Sequence, residues 1–295
     1  MSDQADILRD LMQRRQREAV VPKPPIRRTA RTIAITSGKG GVGKSNIALN
    51  LAIALAKMDA SVCILDANSG LGNIDLLCGL NGYWNLSHVV TGTRSLKDIV
   101  LKGPCGINVI PGASGLADVA DDSESVQTEI LHQMQHLERA HDFLIIDTGT
   151  GIHQHVRQFA IAADVVLIVT TAEPTSIADA YATIKAFAGG DSAQLKTLVN
   201  RADSPQQARA ILNRLQQTAR IFLRTEVGSI GFIPNEQSVV QAVAKRTPFI
   251  LDSPQAGASQ AVHQLAQRLK NLTDAQHDRG SFFARLWNRL TRKAA

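Results

Sequence analysis

The residues that could do chemistry gather around one short run. Gly38-Lys39-Gly40-Gly41-Val42-Gly43-Lys44-Ser45 fits the pattern GxxxxGK[ST], and it lies between an apolar run, Thr32 to Ser37, and a helix-forming stretch that opens at Ser45. Glycines at these spacings let the backbone curl so that its N–H groups face one anion, and the start of the following helix adds a favourable dipole. Lys44 can reach the β- and γ-phosphate oxygens of a bound nucleotide, Ser45 can ligate Mg²⁺, and Asn46 follows in the first helical turn. The competing reading, a glycine-rich turn that binds nothing, leaves the full set of fixed positions without a reason.

Two carboxylates belong with this loop. Asp66 ends the apolar run Val62-Cys63-Ile64-Leu65, and Asp147 ends Phe143-Leu144-Ile145-Ile146. Both should lie at the carboxyl edge of a parallel sheet, where open sheets of this kind bind ligands, and each could hold Mg²⁺ or its waters. Two further strand ends, Asn200-Arg201 and Gly231-Phe232-Ile233-Pro234, mark the far end of the site. Asn200, with Arg201 and Pro234 beside it, is the candidate for the base contact; its plainer reading is a turn former.

Positioning these residues requires alternating elements. Short β-rich runs are expected at Thr32 to Ser37, Ser61 to Asp66, Ile107 to Pro111, Phe143 to Asp147, Val165 to Thr170, Leu195 to Asn200 and Ser229 to Pro234. The longer helices are expected at Ser45 to Met58, Ser125 to Ala140, Thr175 to Phe187, Pro205 to Leu223 and Ala256 to Leu272. Strands alternating with helices imply βαβ units, hence an α/β fold whose mostly parallel sheet carries helices on both faces. The 295 residues are 44% hydrophobic and only 4% aromatic, enough apolar mass for one large domain and poorly suited to a β-sandwich. The domain is expected over residues 30–272, with an N-terminal helix and basic linker at 1–29 and a polar spacer and amphipathic helix at 273–295.

Charge is concentrated at the ends. The net charge is +6, with seven basic residues and one acid between Arg14 and Arg31, and five basic residues and no acid between Arg279 and Lys293. A polyanionic partner, lipid or nucleic acid, is therefore plausible. Cys63, Cys78 and Cys105 show no ligand spacing and are odd in number, which argues against a disulfide framework and fits a reducing cytoplasm. No apolar run approaches the ~18 residues of a membrane span, and the N-terminus lacks the apolar core of a signal peptide.

The second loop lysine, Lys39, adds a family resemblance. KGGVGKS resembles the deviant Walker A motif of the MinD/ParA/nitrogenase-iron-protein group, in which this lysine contacts nucleotide bound to the opposite subunit of a sandwich dimer. The resemblance implies ATP and Mg²⁺ as cofactors, an ATP-bound homodimer and hydrolysis. It places Asp66 in the Walker A-prime motif and Asp147 at the start of switch II, and it puts adenine against the strand ends at Asn200 and Pro234. Asp66-Ala67-Asn68 departs from the usual DxD, so Asn68 must orient water without a carboxylate and hydrolysis is expected to be weak.

Within the group the chain resembles the FlhG family, which governs flagellar placement and number. KSN in place of KTT at Lys44 to Asn46, Gly70-Leu71-Gly72-Asn73-Ile74-Asp75, the run Glu173-Pro174-Thr175-Ser176-Ile177-Ala178-Asp179-Ala180-Tyr181, and the later Ser238 to Val243 and Pro248-Phe249 carry this. Asp3, Gln4, Ala5, Leu8 and Arg9 resemble the DQAxxLR motif with which that family stimulates the GTPase FlhF, and a short helix on a linker suits groove docking. Flagellar basal-body components and transcriptional regulators are further partners of the kind the resemblance admits.

Phe282, Phe283, Leu286, Trp287 and Leu290 share one helical face, with Arg285, Arg289, Arg292 and Lys293 mostly around it. This is the make-up of a helix lying in an anionic membrane surface, each cation worth ~1 kcal/mol there. A helix packed on its own domain is the alternative, and the two states can alternate. The expected location is cytoplasmic and reversibly peripheral on the membrane. Competing readings are a MinD-like division-site ATPase and a ParA-type DNA-partitioning ATPase, the aromatic tail favouring lipid over nucleic acid.

Overall fold

In the computed structural model, which describes residues 29–68, 72, 74–113, 115–116, 124–189, 193–272 and 280–291, eight strands form one sheet. They are β1 (Arg31–Ser37), β2 (Val62–Ala67), β3 (Leu101–Lys102), β4 (Asn108–Ile110), β5 (Phe143–Thr150), β6 (Val165–Thr170), β7 (Gln194–Ala202) and β8 (Gly228–Pro234). Their order is β3-β4-β2-β5-β1-β6-β7-β8, parallel throughout except for β3 against β4. The helices among the described residues are α1 (Lys44–Ala56), α2 (Ile74–Leu77), α3 (Leu86–Val90), α4 (Leu96–Ile99), α5 (Glu124–Arg139), α6 (Gln154–Ala162), α7 (Pro174–Phe187), α8 (Pro205–Leu223), α9 (Gln237–Ala244), α10 (Phe249–Asp252), α11 (Gly257–Asn271) and α12 (Phe282–Thr291).

The central strands are apolar on both faces because both faces are covered. Ile33 and Ile35 of β1, Ile64 of β2, Ile145 of β5 and Leu167 of β6 enter one core layer with α1, α10 and α11. Their neighbours Ala34, Leu65, Ile146 and Ile168 enter the other, with α5 to α8. The strand period of two thus deals successive side chains to opposite layers. α1 is apolar almost all round, buried from Ile47 to Leu55, because it lies between the sheet and α11. α12 joins the second layer: Phe282, Phe283, Leu286 and Leu290 are buried there, in contact with α5 and α6.

The N-terminal rim of the sheet is clamped twice by the same device. Asp164, just before β6, accepts from Thr32 N at 2.9 Å and Thr32 Oγ1 at 2.7 Å. Asp142, just before β5, accepts from Ser61 N at 2.8 Å and Ser61 Oγ at 2.7 Å. Each pair fixes the register of two neighbouring strands at their start. The ligand edge, at the other rim, inherits that alignment.

All seven expected strands and five expected helices are present, with ends displaced by three residues at most. Several elements were not anticipated: the antiparallel β3, α6, and the short helices α2, α3, α4, α9 and α10. They are too brief for a hydrophobic period to develop, and α6 mixes polar residues with alanines.

Replacing Thr32 by valine preserves shape and removes one donor from the buried Asp164 carboxylate. Unfolding free energy should fall by about 1–3 kcal/mol in urea denaturation, with an unchanged denaturant slope.

Candidate nucleotide site

The loop between β1 and α1 is built to receive an anion. Gly43 caps the start of α1 with φ 96° and no side-chain hydrogen bond closes that end, so the first helical N–H groups stay available. A Cβ on Gly43 would stand 2.4 Å from Asn200 Nδ2, and one on Gly38 would stand 2.5 Å from Asp179 O. Both positions therefore require glycine on space, and Gly43 on conformation as well. Gly40 and Gly41 lie exposed at the tip and Val42 is buried beneath it. Ser37 organises the loop from below, donating to Lys39 O at 2.6 Å and accepting from Lys44 Nζ at 3.0 Å. Burial pushes the Lys44 ammonium below its ordinary range, and Asp147 partly restores it.

Asp66 and Asp147 are register partners on the adjacent strands β2 and β5. They are 2% and 1% exposed. Burial first and the neighbouring Asp66 charge second raise the Asp147 carboxyl, the Ser45 hydroxyl and Lys44 oppose them, and the net is about 7. Asp147 Oδ1 has no hydrogen-bond partner. Two buried carboxylates beside a serine hydroxyl, with one oxygen left over, fit a hard divalent cation such as Mg²⁺. Gly72 passes close over Asp66, where a Cβ would meet Oδ2 at 2.6 Å, and Ile74 N donates to the same oxygen at 3.4 Å. Asn68 follows β2, its amide N bonded to Asp66 Oδ1 at 3.2 Å, and its Oδ1 lies 3.5 Å from where a Gly149 Cβ would stand. Asn68 is thus beside the C-terminal end of β5, just past which Gly151 N is tied to Ser37 O at 2.8 Å.

At the base end, Asn200 Nδ2 donates to Val42 O at 2.7 Å. That commits the amide and leaves the carbonyl oxygen as the acceptor an adenine amino group requires. Arg201 takes a left-handed φ of 55° at a break in the β7–β8 register, turning its own side chain outward as Asn200 stays in. Asn46, Asn200, Arg201 and Pro234 line a cleft of about 220 Å³. The opposite wall was not foreseen: Val239, Val240 and Val243 of α9 close it. Their spacing put them on one helical face, which was the available clue.

Lys39 does not stand free. Its ammonium pairs with the Glu173 carboxylate and donates to Thr175 Oγ1 at 3.1 Å, both at the start of α7. Lys39 and, less strongly, Arg201 hold the Glu173 carboxyl below the usual carboxylate range. Glu173 opens the run 173–181 that carries the family resemblance, but that run does not mark it as a partner of Lys39, which only the close approach of α7 to the loop reveals.

The structure does not bring the remaining expected residues to this site. Asp3, Gln4, Ala5, Leu8 and Arg9 lie outside the described residues. Phe282, Phe283, Leu286 and Leu290 are buried, and Trp287 partly so, against Leu116, Ile130, Leu131 and Met134. The amphipathic face therefore points into its own domain here. No helix among the described residues is long and apolar enough to cross a membrane. Burial raises the Cys63 thiol and lifts that of Cys78 to about 12, so neither supplies a thiolate.

The raised Asp147 has a sign that can be measured. The folded, metal-free protein keeps a proton that the unfolded chain releases near the ordinary value of about 4, so this group's stabilising contribution is full below that and is lost as pH rises through about 7. Asp147→Asn should flatten this fall and raise the nucleotide-free melting temperature at pH 8 by about 5 °C, with little effect at pH 5, in calorimetry with chelator.

Comparison with known proteins agrees with this geometry. An AAA domain family matches residues 30–196. The antiactivator FleN of Pseudomonas aeruginosa is 37% identical over 249 residues, 84% of this chain and 89% of that protein. The flagellum site-determining protein YlxH of Helicobacter pylori is 34% identical, over 79% of this chain and 80% of its own. Among solved structures, the MinC:MinD cell division complex of Aquifex aeolicus superposes with a TM-score of 0.65 at 28% identity, covering 85% of this chain and 100% of that one. MinD of Pyrococcus horikoshii, complexed with Mg-ADP, gives a TM-score of 0.66 at 22% identity, which speaks to the fold, covering 83% of this chain and 98% of its own. With the phosphate loop, the paired carboxylates and the sheet order all in place, the chain belongs to the MinD/ParA family of P-loop ATPases, in the branch that contains FleN and YlxH.

Proposed function

We propose that this ATPase is a location switch in the control of flagellar number or placement. ATP and Mg²⁺ bind at Gly38 to Ser45 with Asp66 and Asp147, two chains close when Lys39 leaves Glu173 for the partner's nucleotide, and the dimer carries its α12 helices to an anionic membrane surface. There the segment holding Asp3 to Arg9 acts on a GTPase resembling FlhF. Hydrolysis resets the cycle. The FleN and YlxH relatives support the flagellar setting.

One observation carries the coupling. α6 follows the short turn at 151–153 that ends β5, the strand of Asp147, and along its length it supports α12: Gln158 Nε2 donates to Arg289 O at 3.2 Å, and Ala162 O accepts from Arg285 Nε at 2.8 Å. A change at the metal ligand thus reaches the tail through one rigid element. Paired tails in a dimer gain avidity, since the second insertion is intramolecular.

Two measurements test this. Vesicles with anionic lipid should pellet the full chain with ATP and not with ADP, and Trp287→Ser should reduce pelleting about ten-fold, because Trp287 is the tail aromatic least committed to the domain. Equal pelleting in both nucleotides, or none, would sink the membrane step. For hydrolysis, Asn68→Asp restores a carboxylate beside Gly149 and should raise turnover about ten-fold or more in a phosphate-release assay; an unchanged rate would remove Asn68 from the water-positioning role.

A further inference from the structure

The tail helix α12 is gripped unequally at its two ends. At its start, Glu138 in the last turn of α5 is fully buried and accepts from Ser281 Oγ at 2.6 Å and Phe282 N at 2.8 Å. Arg285, one turn on, donates from Nε to Ala162 O at 2.8 Å and from Nη2 to Asp164 Oδ1 at 2.9 Å. Asp164 is the same carboxylate that clamps Thr32 of β1, so this grip reaches into the sheet. Both anchors use ionisable side chains at the N-terminal rim, away from the nucleotide edge; burial raises the Glu138 carboxyl, and the Ser281 and Phe282 donors and Arg285 oppose that.

The other end is held by weaker means. Gln158 Nε2, a neutral amide, donates to Arg289 O at 3.2 Å, and its Oε1 is buried without a partner. Trp287 and Leu290 rest on Leu116, Ile130, Leu131 and Met134 by apolar contact. Hydrogen bonds with an ionised partner are shorter and about twice as strong as neutral ones. Gln158 lies on α6, the helix after β5, about one turn nearer the Asp147 strand end than Ala162, whose carbonyl accepts from Arg285 on the same helix.

We infer that α12 opens as a hinged flap, peeling from its Leu290 end while Glu138, Asp164 and Arg285 hold its first turn to the domain. This deepens the membrane reading and rests on it only for what the freed half meets. A tail that pivots on a fixed first turn presents Trp287, Arg289 and Leu290 at a set distance from the domain, where a tail released whole would swing on its linker.

Residue-resolved hydrogen exchange of the full chain, nucleotide-free and with ADP or ATP, tests the hinge. In every state the amides of Leu286 to Thr291 should exchange about ten-fold faster than those of Phe282 to Arg285. Fraying of a chain end would produce that difference too, so variants decide. Ser281→Ala with Arg285→Gln strips donors from Glu138 and Asp164 and should bring the first turn, read away from the Ala284 amide that Ser281 Oγ caps, up to the rate of the second half, whereas Gln158→Ala should speed the second half alone. A single rate across the wild-type helix, or first-turn protection that survives the double substitution, would overturn the hinge. Lipid plays no part in this readout: a tail that never meets a membrane leaves the hinge standing, and a tail that opens as one unit leaves the membrane reading standing.

Discussion

The side-by-side burial of Asp66 and Asp147 is the constraint around which the molecule is arranged. Parallel pairing of β2 with β5 makes these carboxylates direct neighbours, and the covered sheet denies them water. Burial above all, and then the opposing charge of Asp66, raise the Asp147 carboxyl to about 7. A divalent cation held by Asp66, Asp147 and Ser45 would relieve the conflict, and would so couple nucleotide binding to local order. The surrounding features follow: Lys44 and Ser45 at the same point, Gly72 giving the chain room to cross Asp66, and Gly151 tied to Ser37 so that the loop after Asp147 feels the phosphate loop directly.

Much of this is legible in the amino-acid sequence. The phosphate loop is a local device, fixed by glycine conformation and the start of a helix, and such devices are written in consecutive residues. The central strands were equally plain, since double burial forces unbroken apolar runs such as Ile33 to Ile35 and Val165 to Val169. Asp66 and Asp147 could be assigned because each ends such a run.

What escaped reading depends on contacts between distant segments. Glu173 meets Lys39 across 134 positions of sequence, and nothing in its own neighbourhood marks it as a partner. The α9 wall of the base cleft faces Asn200 only because β8 returns beside β7. The tail posed a deeper ambiguity: an apolar helical face rimmed by arginines suits a lipid surface and a protein groove equally. Its docking is decided by partners far away in the chain, the Glu138 carboxylate, the Asp164 carboxylate and the Met134 and Ile130 side chains of α5, and no pattern within residues 282–290 announces them.

The seated tail also bears on the solubility of the chain. Leu116, Ile130, Leu131 and Met134 line a trench that α12 fills. A chain shortened before Gly280 would carry that trench open to water, an apolar strip of the sort that drives self-association. α12 therefore serves the domain as a plug whatever else it touches. Any event that withdraws it creates a sticky surface on the protein at the same moment that it frees a sticky helix.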